Sequence, residues 1–534
     1  MTCFRNFSTR WLRNGIVAGV TTAALCASSV LWADFTRLSQ LEAKGFSVSA
    51  EARLLDADSG SNPLLGSLNP ERQLSPASVT KAYMSAALLN RFGPQHRFTS
   101  QLVSTGQVQD GVLRGDLVFE GGGDPGLTTE DLWRLVQRLQ LAGVTHVDGA
   151  LVVSQWRFGP VECITTDRCN ARTRVTNAYS APLTSAGVNF GTWCVNVAPA
   201  ATPGEPARVG LCDSQAPLVA IDNQVVTRPA NSGTEISAER ITDERGDVMR
   251  LTGQISTNAA ARDVYRGAGD AAEKTAQVLL SMLNQAGVSV RDPWRVSSSQ
   301  PPSSAQRLSA VDSQPLQELI LRTMNYSNNY MADVLALNLV ETPQAQLRQA
   351  GQAIETYVQS LPGHGPVTLH SGSGLTTGNR TSAHGVNVML EDMFRQSALF
   401  PSFVASFQSP ANGVMRFIRR GSPTFQNNVM LKTGTLNQPF AVRAVAGYFR
   451  TAQGRWGVFS VLVNGSGSTP YLRRPEVLDP LQVGRLHEQP EGGLADLRED
   501  VEVVQLPEPF ALHEVACLAD AEAVAADVEA PRPL

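Results

Sequence analysis

Lysine is scarce in this sequence, although basic residues are not. Only four of the 44 basic residues are lysine (Lys44, Lys81, Lys274 and Lys432), and all the others are arginine. Arginine stays protonated in proteins, whereas lysine can lose its proton when it is buried or lies beside another cation. The four lysines are therefore the basic positions at which an amine could act as a base.

The chain also lacks a basic excess and, after residue 33, any run apolar enough to cross a bilayer. The net charge of -4 gives no electrostatic footprint for nucleic acid, so no nucleic-acid partner is expected. Near the N-terminus, arginines precede the small-residue apolar run Ile16–Val30. This pattern predicts a signal peptide cleaved near Ala33, with an uncleaved anchor as the alternative. We expect an exported, periplasmic protein. Peripheral association with the membrane or wall and the oligomeric state are left open.

Cysteines are few, and no histidine stands among them. Two of the seven fall in the signal segment. The others suit disulfides in an oxidising compartment, and we predict the pairs Cys163–Cys169 and Cys194–Cys212, with Cys517 left over. Because the spacings do not match those of zinc sites, we predict no metal and no cofactor.

The composition changes along the chain and predicts a mixed α/β (α+β) protein with a large insertion. Valine, threonine, glycine and proline are frequent from Ala142 to about Val296, a Ser/Gln/Pro linker follows, and the C-terminal end is acidic. The predicted division is a signal peptide (1–33), a discontinuous main domain (34–105 plus 300–475), one or more inserted β-rich domains (106–299) and an acidic tail (476–534).

The first candidate motif is Ser78-Val79-Thr80-Lys81, followed by an apolar run. Ser75 and Pro76 are typical of an N-cap and a first-turn residue, so Ser78 is predicted in the first turn of a helix. Lys81, three residues on, shares the helical face of Ser78. A helix N-terminus offers N–H groups to an oxyanion and a nearby amine can activate a serine, but the spacing alone also arises by chance.

Two further motifs follow in the chain. Ser327-Asn328-Asn329 interrupts the helical tract Gln314–Leu339, and Lys432-Thr433-Gly434-Thr435 lies on a predicted strand. The alternating segments Val442–Phe449 and Trp456–Val463 are its predicted partners. Tyr326-Ser327-Asn328 is a second way to align the middle motif.

In this order, the three motifs resemble the serine acyl-transferase site of penicillin-binding proteins and serine β-lactamases. The sequence is most similar to the low-molecular-mass class C D-alanyl-D-alanine carboxypeptidase/endopeptidases, peptidase family S13. Further similarities lie in Tyr179-Ser180-Ala181-Pro182, Met324–Asp333 and Gly372-Ser373-Gly374-Leu375, whereas Ser371 stands where many relatives have aspartate. The resemblance covers most of residues 35–471. It implies a penicillin-binding/β-lactamase-like transpeptidase domain, an antiparallel sheet flanked by helices, interrupted by the β-rich insertion.

The resemblance also implies a role for each motif residue. Ser78 is the expected nucleophile, Lys81 its base, and Ser327 the group that passes a proton to the leaving nitrogen. The residues expected to bind the substrate are Asn329, Lys432, Thr433, Gly434 and Thr435. The backbone N–H groups of Ser78 and Thr435 would form the oxyanion hole, and Gly434 would allow the strand to approach closely.

The implied function is a penicillin-sensitive serine-type D-alanyl-D-alanine carboxypeptidase/endopeptidase. Its partners would be peptidoglycan stem peptides as substrates and β-lactam antibiotics as acylating inhibitors. The alternatives are a serine β-lactamase of related fold, although no Glu-x-x-x-Asn tract stands out between Asn329 and Lys432, and a non-catalytic wall-binding protein. A further hypothesis is that the insertion shapes the cleft through Arg172 or Arg174.

Overall fold

A computed structural model describes residues 35–55 and 62–474, together with Val477. The predicted signal peptide, the turn predicted at residues 56–60, Cys517 and, apart from Val477, the acidic tail lie outside the described residues. Within them, no helix has both the length and the apolar character that a membrane span requires.

The described residues form eleven helices and three 3-10 turns. The helices are α1 Thr36–Ala43, α2 Thr80–Phe92, α3 Thr129–Leu141, α4 Thr166–Asn170, α5 Ala271–Gln285, α6 Leu316–Asn325, α7 Asn329–Leu337, α8 Leu347–Gln359, α9 Ala383–Arg395, α10 Phe400–Val404 and α11 Pro423–Asn428. The 3-10 turns are Ala77–Val79, Asn189–Gly191 and Arg416–Ile418.

Nineteen strands complete the described secondary structure. They are β1 Ser47–Leu54, β2 Leu64–Leu68, β3 Thr99–Ser104, β4 Val108–Gln109, β5 Val112–Leu113, β6 Leu117–Glu120, β7 His146–Ser154, β8 Arg174–Val175, β9 Thr192–Ala198, β10 Arg208–Leu211, β11 Ala220–Arg228, β12 Glu235–Asp243, β13 Gly246–Ser256, β14 Arg262–Gly267, β15 Ser289–Ser297, β16 Gln306–Asp312, β17 Val429–Leu436, β18 Val442–Arg450 and β19 Trp456–Asn464.

A five-stranded antiparallel sheet joins the two ends of the described chain. Its order is β17-β18-β19-β1-β2. Both segments that follow the strand with Lys432 belong to this sheet, as predicted, but only β18 pairs directly with β17, whereas β19 pairs with β18. Helix α9 packs on this sheet through β19 and β1. The fold is thus the expected mixed α/β arrangement of an antiparallel sheet and flanking helices.

Helix α2 lies in the middle of the helical layer. Every residue from Thr80 to Leu89 is buried, and α6, α7, α8 and α9 all pack against the helix. A helix that is surrounded on all sides needs mostly apolar residues all round, which explains the largely apolar run after Lys81. The main core of the protein forms around α2 and holds the start of this helix in place.

Three further sheets lie between β3 and β16. One sheet contains β3 to β7 with β15 and β16, a second contains β10-β9-β14 and a third contains β11-β13-β12-β8. Parallel pairs occur among them, as between β7 and β15. Strands β3 and β16, on either side of the predicted insertion, pair with each other. The domain boundaries themselves remain a prediction.

Both predicted disulfides are present. Cys163 is bonded to Cys169 in α4, and Cys194 on β9 is bonded to Cys212. Each pair joins cysteines that are close in sequence, which is why their spacing was informative.

Candidate active site

Ser78 lies in the 3-10 turn that leads directly into α2. Its neighbour Ala77 has a left-handed backbone with φ 44°. The predicted cap at Ser75 is wrong, because no side chain caps this turn. Instead, the Asn464 side chain accepts from the N–H of Ser75 and donates to its C=O. The turn leaves the Ser78 side chain half-buried between two buried neighbours.

Lys81 lies one turn further along α2 and is fully buried. Its Nζ is 2.9 Å from Ser78 Oγ, 2.7 Å from Asn329 Oδ1 and 2.8 Å from the carbonyl oxygen of Ser373. Two of these three partners are carbonyl oxygens, which only accept hydrogen bonds. The amine is therefore fixed in position directly beside the serine hydroxyl.

The middle motif connects α6 to α7. Ser327 has φ 51°, in the left-handed region, and this sharp bend turns its hydroxyl towards β17. Asn329 begins α7 and contacts Lys81, whereas the Asn328 side chain caps α7 by accepting from the N–H of Met331. The alternative alignment, Tyr326-Ser327-Asn328, would assign the site amide to Asn328, whose side chain instead caps α7.

Strand β17 forms the edge of the five-stranded sheet next to Ser78. Lys432 Nζ donates to Ser327 Oγ at 2.9 Å and to the carbonyl oxygen of Thr433 at 2.9 Å. A Cβ on Gly434 would lie 2.5 Å from the carbonyl oxygen of Pro76 and 3.0 Å from the nitrogen of Ser78. Only glycine therefore lets β17 lie this close to the serine turn.

These residues meet at a cleft of about 670 Å³. Five of the eight predicted site residues line the cleft, and they are Ser78, Ser327, Asn329, Thr433 and Thr435. The remaining three, Lys81, Lys432 and Gly434, are buried behind it. All eight thus surround one cleft, with a chain of contacts from Ser78 through Lys81 to Asn329 and a second contact between Ser327 and Lys432.

The predicted insertion supplies part of the cleft wall, but not through the arginines suggested by the sequence. Residues 164–167 and Tyr179 line the cleft. Arg172 donates to the carbonyl oxygen of Val161, and the exposed Arg174 forms an ion pair with Glu239. This part of the chain therefore contributes to the cleft wall as suggested, but neither Arg172 nor Arg174 lines the cleft.

Sequence reasoning also missed the groups behind Lys81. The acceptor on Ser373 is a backbone carbonyl, and a backbone group has no residue-specific signature. Asp333 accepts from the N–H of Ser373 at 2.8 Å and forms a buried ion pair with Arg168 at 2.8 Å. The aspartate was detectable as a charge within an apolar helix, since buried charges need partners. Its partner, Arg168, lies 165 residues away in the sequence and was not detectable in this way.

Among the described residues, one group of three side chains could bring metal-ligating atoms together: Cys194, Cys212 and Asp263. The two cysteines are joined as a disulfide, so neither offers a thiolate to a metal.

Comparison with known proteins identifies the family. A model of the D-Ala-D-Ala carboxypeptidase 3 (S13) family matches residues 50–481, which is most of the chain. The chain belongs to this family. It is a serine hydrolase of the D-Ala-D-Ala carboxypeptidase type, as the motif order predicted.

Individual relatives support the assignment of this chain to the S13 family. A D-alanyl-D-alanine carboxypeptidase from Actinomadura sp. (strain R39) is 28% identical over 465 residues, covering 82% of each chain. The crystal structure of penicillin-binding protein 4 from Haemophilus influenzae matches with a TM-score of 0.68 at 20% identity, covering 83% of this chain and 97% of that one. The same protein in complex with a β-lactam matches with a TM-score of 0.64 at 21% identity, covering 84% and 98%. The structural match shows that the S13 peptidase has the penicillin-binding fold.

Proposed function

We propose that this S13 peptidase is exported and hydrolyses the D-Ala-D-Ala end, or the D-amino acid cross-links, of peptidoglycan stem peptides through an acyl-enzyme on Ser78. The observation that carries the proposal is the contact of Ser78 Oγ with a fully buried amine that also contacts two carbonyl oxygens. The residue roles below follow from that contact and from the geometry around it.

Lys81 is the proposed general base. Burial disfavours a charged ammonium group relative to the neutral amine, and the cation of Lys432 close to the same cleft acts in the same direction. A neutral amine has two N–H donors and one lone pair. With its two donors on Asn329 Oδ1 and the Ser373 carbonyl, its lone pair faces the Ser78 hydroxyl and can take its proton.

Acylation then proceeds at the carbonyl of the penultimate D-alanine. Ser78 Oγ forms a bond to the carbonyl carbon as its proton moves to Lys81, and the N–H groups of Ser78 and Thr435 are proposed to stabilise the oxyanion. When the C–N bond breaks, Ser327 donates its proton to the leaving nitrogen and is reprotonated from the neighbouring lysines. Water later attacks the ester and releases the shortened peptide.

Lys432 is the proposed anchor for the terminal carboxylate of the substrate. It lies close to Thr433 and Thr435, which are two residues apart on the edge strand and therefore both face the cleft. A charge-assisted hydrogen bond to a carboxylate in a cleft shielded from water is stronger than a neutral one. Such an anchor would favour peptides that end in a free carboxylate.

A β-lactam would block the same serine. Its strained amide presents a carbonyl and a carboxylate as D-Ala-D-Ala does, so it would acylate Ser78, and the related Haemophilus influenzae protein forms a β-lactam complex. Residues 1–33 would direct the chain to the periplasm, where peptidoglycan is accessible.

The proposal is tested by D-alanine release from a muropeptide with a pentapeptide stem. Wild-type protein should release D-alanine, and Ser78→Ala should reduce the rate by about 10³-fold or more with unchanged thermal stability. Equal rates would contradict the proposal.

The β-lactamase alternative is separated by a second measurement on the same protein. A peptidase should be labelled by a chromogenic cephalosporin once per active site, because hydrolysis of the acyl-enzyme is slow. Sustained turnover, without D-alanine release, would favour the β-lactamase instead.

A further inference from the structure

The Gly372–Gly374 loop is confined between the serine turn and α7. A Cβ on Gly374 would lie 1.9 Å from the carbonyl oxygen of Ala77, and one on Gly372 would lie 2.6 Å from Ala336 Cβ. Ser373 is fully buried between these two glycines. The backbone conformation of Ser373 therefore decides whether its carbonyl reaches Lys81.

Asp333 binds the other end of the same residue. Its Oδ1 accepts from the N–H of Ser373 at 2.8 Å, while the carbonyl oxygen of Ser373 accepts from Lys81 Nζ at 2.8 Å. Asp333 is fully buried on α7. A single residue thus connects a buried carboxylate with the proposed base.

The charge of Asp333 is balanced from the insertion. Arg168 on α4 donates through Nη1 to Asp333 Oδ2 at 2.8 Å, and only 3% of its surface is exposed. A buried carboxylate without a counter-charge would be strongly unfavourable, and the guanidinium of Arg168 supplies that counter-charge.

The short helix that carries Arg168 is held by two local devices. Helix α4 has five residues, too few to be stable alone. The Thr165 side chain caps it by accepting from the N–H of Arg168, and the Cys163–Cys169 disulfide closes the segment. Residues 164–167 of the same segment line the cleft, so Arg168 reaches inward from beneath that wall.

We propose that Asp333, held by Arg168, is a positioning residue for catalysis: it fixes the backbone of Ser373 through the N–H, so that the carbonyl of the same residue holds the Lys81 amine against Ser78. This inference rests on the proposed function of Lys81 as the base. It gives the insertion a part in the chemistry, since a side chain of the insertion supports the group that positions the base.

Two double variants of nearly equal shape test the proposal. Arg168→Met/Asp333→Asn and Arg168→Met/Asp333→Leu both remove the buried charges, but only the asparagine keeps an oxygen for the N–H of Ser373. Acylation by a fluorescent penicillin is followed at several concentrations, which separates the non-covalent dissociation constant from the first-order acylation rate. Rates are expressed per correctly folded molecule.

The asparagine variant should acylate within about threefold of wild type. The leucine variant should acylate about 10- to 100-fold more slowly, with a dissociation constant within about threefold of wild type, because a displaced base affects the chemical step. Lys274→Met is the matched control. It removes another buried cation of the insertion, which donates to the carbonyl oxygens of Val188 and Thr192, and should leave the acylation rate unchanged.

Equal acylation rates for the asparagine and leucine variants would overturn the inference and leave the proposed function intact. A wild-type protein that penicillin does not acylate would overturn both. If the double variants fail to fold, Asp333→Asn and Asp333→Leu with Arg168 retained replace them, and the same order of rates is required. Arg168→Lys, which keeps the cation, should retain the wild-type rate within about threefold, and a 100-fold loss would also count against the inference.

Discussion

At the scale of single residues, Asp124 shows how burial changes the proton affinity of a carboxyl group. Burial raises the pKa of Asp124 to about 7, from an ordinary value of 3.8, although the N–H of Gly126 donates to its Oδ1 at 2.8 Å and acts in the opposite direction. Between these two values the folded protein binds more protons than the unfolded chain. The contribution of Asp124 to stability is therefore most favourable below about pH 4 and is lost as the pH rises to about 7.

Asp124→Asn should remove this pH dependence, because the amide oxygen can still accept from Gly126 but the side chain does not ionise. We expect the variant to match wild type at pH 4 and to be about 2–4 kcal/mol more stable at pH 8. Chemical denaturation at the two pH values measures the difference. A variant with the same stability change at both values would show that Asp124 does not titrate as described.

At the scale of secondary-structure elements, the close approach of β17 to the serine turn depends on Gly434. Gly434→Ala would bring Cβ to 2.5 Å from the carbonyl oxygen of Pro76, so the strand would have to move away from Ser78. Because the proposed oxyanion hole lies between this strand and the turn, we expect acylation by penicillin to slow by about 10²-fold.

The matched control for Gly434 is Gly210→Ala on β10, where no atom lies within 4 Å of the added Cβ. This variant should acylate at the wild-type rate. If folded Gly434→Ala is acylated at the wild-type rate, the role proposed for β17 is refuted.

The bend between α6 and α7 leads to a second prediction at this scale. Ser327 has φ 51°, a left-handed backbone conformation whose free energy is higher for a residue with a side chain than for glycine. Ser327→Gly and Ser327→Ala both lose the hydroxyl that contacts Lys432, so both should be poor peptidases. The glycine variant should nevertheless be about 1 kcal/mol more stable to denaturation than the alanine variant. Equal stability, or a more stable alanine variant, would contradict the argument.

At the scale of the whole molecule, local patterns in the sequence predicted much of what lies close together in the chain. The segments after Lys432 are β18 and β19, and both disulfides join the expected cysteines. Each depends on periodicity or short separation. The three motifs could also be placed around a single site, because their order matched a known arrangement.

What the sequence could not supply are the contacts between distant segments. The Ser373 carbonyl has no residue-specific signal, the Arg168–Asp333 pair depends on how the insertion docks, and the Ser75 cap failed because Asn464 holds its backbone. Each is decided by tertiary packing, which outweighs local preference. The predicted site residues could therefore be named in advance, but not the groups that hold them in place.

The central claim, that the acyl group forms on Ser78, is tested most directly by intact-protein mass spectrometry after exposure to benzylpenicillin, followed by peptide mapping. We predict one covalent adduct per chain, located on the peptide that contains Ser78, and no adduct on folded Ser78→Ala. An adduct on any other residue, or equal labelling of the Ser78→Ala variant, would contradict the account.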